Sequence, residues 1–229
     1  MIRTNLDFLL SARSKEEAKV IGVTSTMAGE GKSFVSINLA TTLALSDKKV
    51  LLIGLDLRKP KLLDYFKIQS HEKGITNYLS DANIKVSDLI FHSPSKLKNL
   101  DMIESGVIAP NPAELLLNPR LSELFREVQS QYDYIVVDTA PVSLVADTLL
   151  INEHVDMFVY VARANYLDKR LLEVPKNLYA ENRLNNIAIL INGIDYKRGY
   201  GYGYGYGYGY GYGEYSTDKK KKRKWNFWK

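Results

Sequence analysis

A glycine-bracketed segment near residue 30 has the composition of a phosphate-binding loop. Gly29-Glu30-Gly31-Lys32-Ser33 follows the β-branched run 20–24 and precedes a stretch whose apolar residues recur at helical spacing. Because glycine lacks a Cβ, backbone N–H groups can approach phosphate oxygens at the positive end of the following helix. Lys32 would then reach the β- and γ-phosphates, and the Ser33 hydroxyl would bind Mg²⁺. Thr26 stands where the full motif has glycine, so a strand-to-helix turn without a ligand is the alternative.

The loop and its flanks supply the residues predicted to bind a nucleotide. They are Ala28, Gly29, Glu30, Gly31, Lys32, Ser33 and Phe34. Asn192, at the end of the last apolar run, could hydrogen-bond an adenine edge through its side-chain amide. An asparagine before Gly193 is equally natural in a turn, so both interpretations stay open.

Two carboxylates follow apolar runs. Asp138 ends the run 134–137, and Asp56 comes shortly after the run 50–53. Mg²⁺ prefers oxygen ligands and keeps several waters, so the predicted metal ligands are Ser33, Asp56 and Asp138. Lys32, Asp56 and Asp138 are the predicted catalytic residues. The alternatives are that Asp138 only caps a turn and that Asp56 pairs with Arg58.

The elements that must position these residues alternate between strand and helix. Strands are predicted at 20–24, 50–54, 100–103, 134–138, 157–162 and 187–192, with helices at 1–18, 34–40, 112–117, 120–129 and 170–182. Strand, helix and strand within about 35 residues form a βαβ unit, which predicts a mainly parallel sheet covered by helices on both faces. Ligands bind such sheets at the carboxyl ends of the strands, where the candidate residues fall.

Composition sets the class of the chain. Its 229 residues are 45% apolar and contain no cysteine, which excludes disulfides, thiolate metal sites and thiol nucleophiles. The scattered histidines do not indicate a metal cluster, and no apolar run reaches the length of a membrane span. The sequence therefore predicts one α/β domain over residues 1–195 in the cytoplasm.

The last 34 residues differ in composition from the rest. Glycine and tyrosine alternate from Gly199 to Gly213, and a basic run follows at 219–224. Nine lysines and arginines against two acids give this segment a surplus of seven, which leaves the rest of the chain at −2. We expect a flexible tail over 196–229 and no nucleic-acid-binding face on the acidic domain. The basic run reads as a solvated charge run or as a membrane-surface contact.

The tyrosines of the tail are candidate phosphoacceptors. Exposed phenols spaced by glycine are accessible to a kinase site, whereas adhesive low-complexity behaviour is the competing explanation. The predicted acceptors are Tyr200, Tyr202, Tyr204, Tyr206, Tyr208, Tyr210, Tyr212 and Tyr215.

With these motifs in view, the chain resembles the bacterial tyrosine kinases (BY-kinases) associated with polysaccharide co-polymerases. The resemblance rests on 28–33 as Walker A, 51–58 as Walker A′, 135–141 as Walker B, and the tyrosine tail. It implies a P-loop NTPase fold of the MinD/ParA-like type, ATP and Mg²⁺ as cofactors, and phosphorylation of tail tyrosines in trans within a ring of subunits. It also implies control of capsular or exopolysaccharide synthesis and export.

The resemblance carries expectations about partners and location. Such kinases act with a membrane co-polymerase or activator domain and are opposed by a cognate phosphotyrosine phosphatase. This chain resembles the cytoplasmic half, expected at the inner face of the cell membrane. Only Arg3 matches the end of the family's N-terminal assembly motif, so a longer parent protein is expected.

Gly54 departs from the family pattern, because it stands at the position where the family has the first aspartate of Walker A′. Either Asp56 takes over as base, or Mg²⁺ and alignment suffice. A MinD/ParA-type switch ATPase is the rival function, although Met27 replaces the signature lysine of that group. A non-catalytic assembly protein with a degenerate nucleotide site is a third possibility.

Overall fold

Seven strands form one sheet in the computed structural model, which describes residues 18–66, 73–93, 97–143 and 146–195. The spatial order is β3-β4-β2-β5-β1-β6-β7, and all pairs are parallel except β3 with β4. The strands are β1 (Lys19–Ser25), β2 (Val50–Gly54), β3 (Phe91–His92), β4 (Leu100–Ile103), β5 (Tyr134–Asp138), β6 (Met157–Arg163) and β7 (Ile187–Asn192).

Helices connect the strands across both faces. They are α1 (Lys32–Ala44), α2 (Leu62–Phe66), α3 (Ile75–Ser80), α4 (Pro112–Leu116), α5 (Arg120–Gln129), α6 (Asp147–Leu150) and α7 (Glu173–Ala180), with 3₁₀ turns at Val86–Asp88, Asn152–His154 and Lys169–Leu172. The predicted fold class, a mainly parallel sheet between two helical layers, is confirmed.

The central strands are apolar throughout because both of their faces are covered. Val50 to Gly54 and Tyr134 to Asp138 are buried at every position. On one face α1 packs Val35, Leu39 and Leu43 against the sheet. On the other face α5 buries residues at 121, 124, 125 and 128, the spacing of a single helical stripe.

The structure corrects several predicted boundaries. A 3₁₀ turn precedes α7, so the helix predicted at 170–182 is shorter and begins at Glu173. The short antiparallel strand β3 was not predicted, because two residues carry no periodic pattern. The predicted helix at 1–18 lies outside the described residues except for Ala18, and the predicted tail 196–229 lies outside them entirely.

The described residues up to Ile194 belong to one compact unit, and the boundary at 195/196 stays a prediction. Within the described part of the chain, no helix combines the length and apolar character needed to cross a bilayer.

Candidate nucleotide-binding and catalytic site

The candidate residues meet where the parallel strands end. β1 lies between β5 and β6, with Val23 opposite Asp138 and Ser25 opposite Val161. Gly54 of β2 lies on the other side of Asp138, and Asn192 of β7 lies beside Arg163 of β6. The loop after β1 is therefore bordered by the ends of β5 and β6, at the switch point where open α/β sheets bind ligands.

The phosphate loop, residues 26–31, depends on glycine at two positions. Gly29 has φ 86° and Gly31 has φ 99°, in the left-handed region that side-chain-bearing residues rarely adopt. Gly31 is also the N-cap of α1, which has no side-chain cap, so the first amides of the helix remain directed at the loop. The two glycines thus bring a helix N-terminus and a tight turn together, as an anion site requires.

Carbonyl oxygens of the phosphate loop are held by residues around it. The acceptors and donors are Thr26 O with the Ser143 amide (3.2 Å), Met27 O with Ser25 Oγ (2.7 Å), Ala28 O with Tyr166 Oη (2.9 Å), Gly29 O with Arg163 Nη1 (3.0 Å) and Glu30 O with Asn192 Nδ2 (2.9 Å). Because the carbonyl of a peptide unit opposes its N–H, fixing five consecutive carbonyls on surrounding donors fixes the direction of the amides as well.

Glu30 is a structural part of the loop. Its side chain is fully buried, and Oε2 accepts the Met27 amide at 2.6 Å while Oε1 accepts the Arg163 amide at 3.4 Å. The sequence predicted Glu30 as a nucleotide contact. The structure directs its carboxylate at the protein backbone, so any contact with a nucleotide would come from its main chain.

Lys32 and Asp138 form a buried pair of opposite charges below the loop. Burial lowers the pKa of Lys32, and this effect is opposed by the charges of Asp138, Asp56 and Glu30. Burial raises the pKa of Asp138 to about 6, although hydrogen bonds from Ser33 and Ser36 and the charge of Lys32 favour its ionised form. Ser36 Oγ donates to Asp138 at 2.9 Å. Asp138 therefore faces the start of α1, and the alternative of a simple turn cap is wrong.

Asp56 lies at the rim of the same site and is half-buried. Its Oδ1 accepts the Lys59 amide at 3.0 Å. Arg58 instead makes a two-pronged ion pair with Asp147, at 2.7 Å and 3.1 Å. The predicted alternative in which Asp56 pairs with Arg58 is therefore wrong, and the Asp56 carboxylate keeps a free side toward the cavity.

A cavity with a volume of about 290 Å³ is lined by Lys32, Ser33, Asp56 and the loop residues Ala28, Gly29 and Gly31. Its wall carries basic side chains around the loop, namely Lys32, Arg58, Lys59, Lys61 and Arg163. The exposed aromatic Phe34 follows Ser33 on α1. Such an excess of positive charge at a helix N-terminus suits a polyphosphate.

Gly54 has no room for a side chain. A Cβ there would lie 2.8 Å from Ser105 Oγ, 3.3 Å from the Ser105 amide and 3.1 Å from a methyl group of Leu62. Ser105 Oγ also donates to the Gly54 carbonyl at 3.0 Å. Ser105 and Leu62 thus fill the space that an aspartate side chain at position 54 would need. Asp56 is the remaining carboxylate of this loop.

We expect Gly54→Ala to lower the free energy of unfolding by about 1–3 kcal/mol, because the added methyl overlaps Ser105 and Leu62. Urea unfolding of the single variants Gly54→Ala and Ser105→Ala and of the double variant would measure this. The double variant should lose less than the two singles together, since Ser105→Ala removes the nearest atom. Additive losses, or a Gly54→Asp protein as stable as the parent, would contradict this account.

Several residues of the site were missed by the sequence analysis. Ser36 could have been found, because it lies one helical turn after Ser33 on α1. No sequence motif marks Arg163, Tyr166 or Ser143, because their role depends on which strands lie beside β1. Asn192 was predicted to contact adenine; its described hydrogen bond holds the loop, and the adenine contact stays a prediction.

Known proteins share this arrangement. Residues 18–178 match the family model of the AAA domain. The tyrosine-protein kinase CpsD of Streptococcus agalactiae is 34% identical over 194 residues, which cover 85% of this chain and 81% of that protein. The chain belongs to the bacterial tyrosine kinases. A second relative, a "putative tyrosine-protein kinase in cps region" of Klebsiella pneumoniae, is 33% identical over 194 residues, which cover 84% of this chain and 26% of that protein.

Solved structures separate the kinase family from the wider fold. The kinase domain of Escherichia coli tyrosine kinase ETK superposes with a TM-score of 0.77 at 30% identity, over 90% of this kinase and 78% of that chain. MinD of Pyrococcus horikoshii, complexed with Mg-ADP, gives 0.60 at 18% identity, over 74% and 68%. The likeness to MinD is one of fold alone, whereas the tyrosine kinases match in sequence as well. This comparison favours the kinase over the rival switch ATPase, and the P-loop fold implies nucleotide binding.

Proposed function

We propose that this kinase uses Mg²⁺ and ATP to phosphorylate the tyrosines of its own C-terminal segment, with the tail of one copy entering the site of another. The observation that carries the proposal is the presence, in one chain, of a phosphate loop with fixed carbonyls and of eight candidate tyrosines at Tyr200 to Tyr215. The tail comprises 34 residues and could extend on the order of 100 Å, enough to reach a neighbouring subunit.

ATP fits the cavity by charge and by backbone geometry. Gly29 and Gly31 have positive φ and carry no Cβ, so phosphate oxygens can approach the backbone closely at these two positions. Lys32 is the first residue of α1 and lines the cavity, where its ammonium would neutralise the β- and γ-phosphates.

The oxygen donors beside Lys32 fit Mg²⁺. Ser33 hydrogen-bonds Asp138, and Asp56 interacts with Asp138 through its charge, so a hydroxyl and two carboxylates are available to one ion. A site with few protein ligands suits an ion that keeps several waters. When bound, Mg²⁺ would neutralise the phosphate oxygens and keep them aligned.

The chain's own groups would then act on the acceptor tyrosine. Asp138 would hold the metal shell in its ionised form, and Ser36 would keep that carboxylate oriented. Asp56, whose carboxylate reaches the rim of the cavity, would receive the phenolic proton as the tyrosine oxygen bonds to the γ-phosphorus. The unperturbed phenol has a pKa of about 10, so this proton must leave during the transfer.

The printed names of the relatives support a proposal for the biological role. We infer that the kinase controls capsular or exopolysaccharide synthesis and export, together with a membrane co-polymerase or activator domain and an opposing phosphotyrosine phosphatase. This role would place the chain in the cytoplasm at the inner face of the membrane, as part of a ring-like homo-oligomer. The basic run 219–224 supports a position close to anionic lipid.

Intact mass after incubation with Mg²⁺ and ATP tests the proposal. We expect several phosphates on the wild-type chain, all mapping to Tyr200–Tyr215, and none on a variant with those eight tyrosines changed to phenylalanine. An isotope-labelled Lys32→Met chain should gain phosphate only when mixed with active kinase, which shows transfer between copies. Nucleotide hydrolysis without added mass would instead indicate a switch ATPase.

A further inference from the structure

Tyr166 lies on an exposed turn beside the phosphate loop. The turn follows β6, with Asn165 in the left-handed conformation at φ 57° and the amides of Tyr166 and Leu167 bonded to the Arg163 carbonyl. The Tyr166 side chain is 49% exposed. About half of this residue is open to solvent, so another kinase molecule can reach the phenol once its oxygen leaves the loop.

The same phenol contacts the loop directly. Its Oη donates to the Ala28 carbonyl at 2.9 Å, and a Cβ on Gly29 would lie 2.9 Å from that oxygen, so the ring end covers Gly29. The Arg163 guanidinium lies 5.3 Å from the ring centroid and donates to the Gly29 carbonyl at 3.0 Å. Tyr166 and Arg163 therefore hold two consecutive carbonyls of the nucleotide site from one turn.

We propose that Tyr166 is a second acceptor of this kinase, modified by another copy, and that phosphate on Tyr166 releases the phosphate loop and weakens nucleotide binding in the modified subunit. The inference rests on the proposed phosphorylation between copies. In the step, Tyr166 Oη bonds to the γ-phosphorus of ATP and the bond from that phosphorus to the bridging oxygen breaks. The electron pair leaves with ADP, and the phenolic proton passes to Asp56 of the modifying copy and then to solvent.

Phosphorylation removes the hydroxyl proton that Tyr166 donates to the Ala28 carbonyl. The modified oxygen carries no proton, and the added charge of about −1.5 to −2 repels the Ala28 carbonyl oxygen and the nearby Glu30 carboxylate. The ring must therefore leave the loop, and the Ala28 carbonyl loses its partner.

Arg163 lies against the ring that would carry the new phosphate. A guanidinium binds phosphate more strongly than it binds a neutral carbonyl, so Arg163 is expected to turn from Gly29 to the modified Tyr166. Both contacts from this turn to the loop are then lost. The amides of Gly29 and Glu30, which share peptide units with these two carbonyls, are no longer fixed toward a bound phosphate, and this causes the weaker binding.

The first test places phosphotyrosine at position 166 by amber suppression. The protein is the 229-residue chain with Lys32 unchanged. Binding of a fluorescent ADP analogue with Mg²⁺ is measured, and we expect a dissociation constant about tenfold higher than in the unmodified protein. Phosphotyrosine at position 179 is the matched control, because Tyr179 is 60% exposed but lies on α7. An unchanged dissociation constant at position 166, or an equal rise at both positions, would overturn the proposal.

The second test asks whether Tyr166 is an acceptor. An isotope-labelled Lys32→Met chain with its tail tyrosines changed to phenylalanine is mixed with active kinase, Mg²⁺ and ATP, and its peptides are mapped. Phosphate on Tyr166 supports the inference. Phosphate on the tail of the active kinase, with none on Tyr166 of the labelled chain, overturns the inference but leaves the proposed function intact. No phosphate on either chain overturns both.

Discussion

Lys32→Met is expected to lower the rate of tyrosine phosphorylation by about 10²–10³-fold. Methionine keeps the apolar stem of the side chain and removes the ammonium that lies next to Asp138 at the start of α1. Since Lys32 is only 7% exposed and burial disfavours its charge, the substitution should not unfold the protein. The effect should therefore appear in turnover while the urea midpoint stays close to that of the parent.

The matched control is Lys48→Met. Lys48 is exposed and lies just before β2, at the amino ends of the parallel strands, whereas the site lies at their carboxyl ends. Rates of phosphate incorporation from labelled ATP would be compared under equal protein concentration and salt. A loss of similar size in both variants would mean that Lys32 acts through general charge and has no special place in the site.

Asp138→Asn is expected to lower activity at least about a hundredfold, because an amide cannot replace the ionised carboxylate in the proposed role of Asp138 as a metal ligand. In the nucleotide-free protein the pKa of Asp138 is raised by burial from 3.8 to about 6. The native state then binds more protons than the unfolded state between these pH values, so this group's contribution to stability falls as pH rises through that window. The asparagine variant lacks this dependence.

Thermal unfolding without nucleotide, followed from pH 7 down to pH 5, measures the second effect. The parent should gain stability relative to Asp138→Asn as the pH falls through about 6. Asp133→Asn is the control, because Asp133 precedes the same strand β5, is exposed and binds the Lys49 amide at 2.8 Å. If the parent and Asp138→Asn keep a constant difference over this range, the assigned titration is wrong.

Much of the fold could be predicted because its strongest signals are local. The apolar runs at β2 and β5 are buried on both faces, and such strands need no alternation to be recognised. Gly29 and Gly31 likewise predict a turn, because glycine adopts positive φ without a steric cost. Asp138 ends an apolar run, so its place at the carboxyl end of a central strand was also predictable.

Other parts of the site depend on which strands become neighbours. Tyr166 and Asn192 act on the loop only because β6 and β7 follow β1 in the sheet, an order that no short pattern encodes. Arg58 could not be assigned to Asp147 for the same reason. The loss of the aspartate at Gly54 is explained by Ser105, which is 51 residues away in sequence.

The order of synthesis on the ribosome has a bearing on the loop. Four of its five held carbonyls receive donors from residues 143, 163, 166 and 192, which lie 117 to 162 positions further along the chain. A nascent chain that has emerged only as far as β5 contains the complete glycine motif, yet lacks most of the groups that fix its shape. Competence to bind nucleotide is therefore acquired almost at the end of translation of the domain, and fragments that stop before β7 would be poor nucleotide binders despite an intact motif.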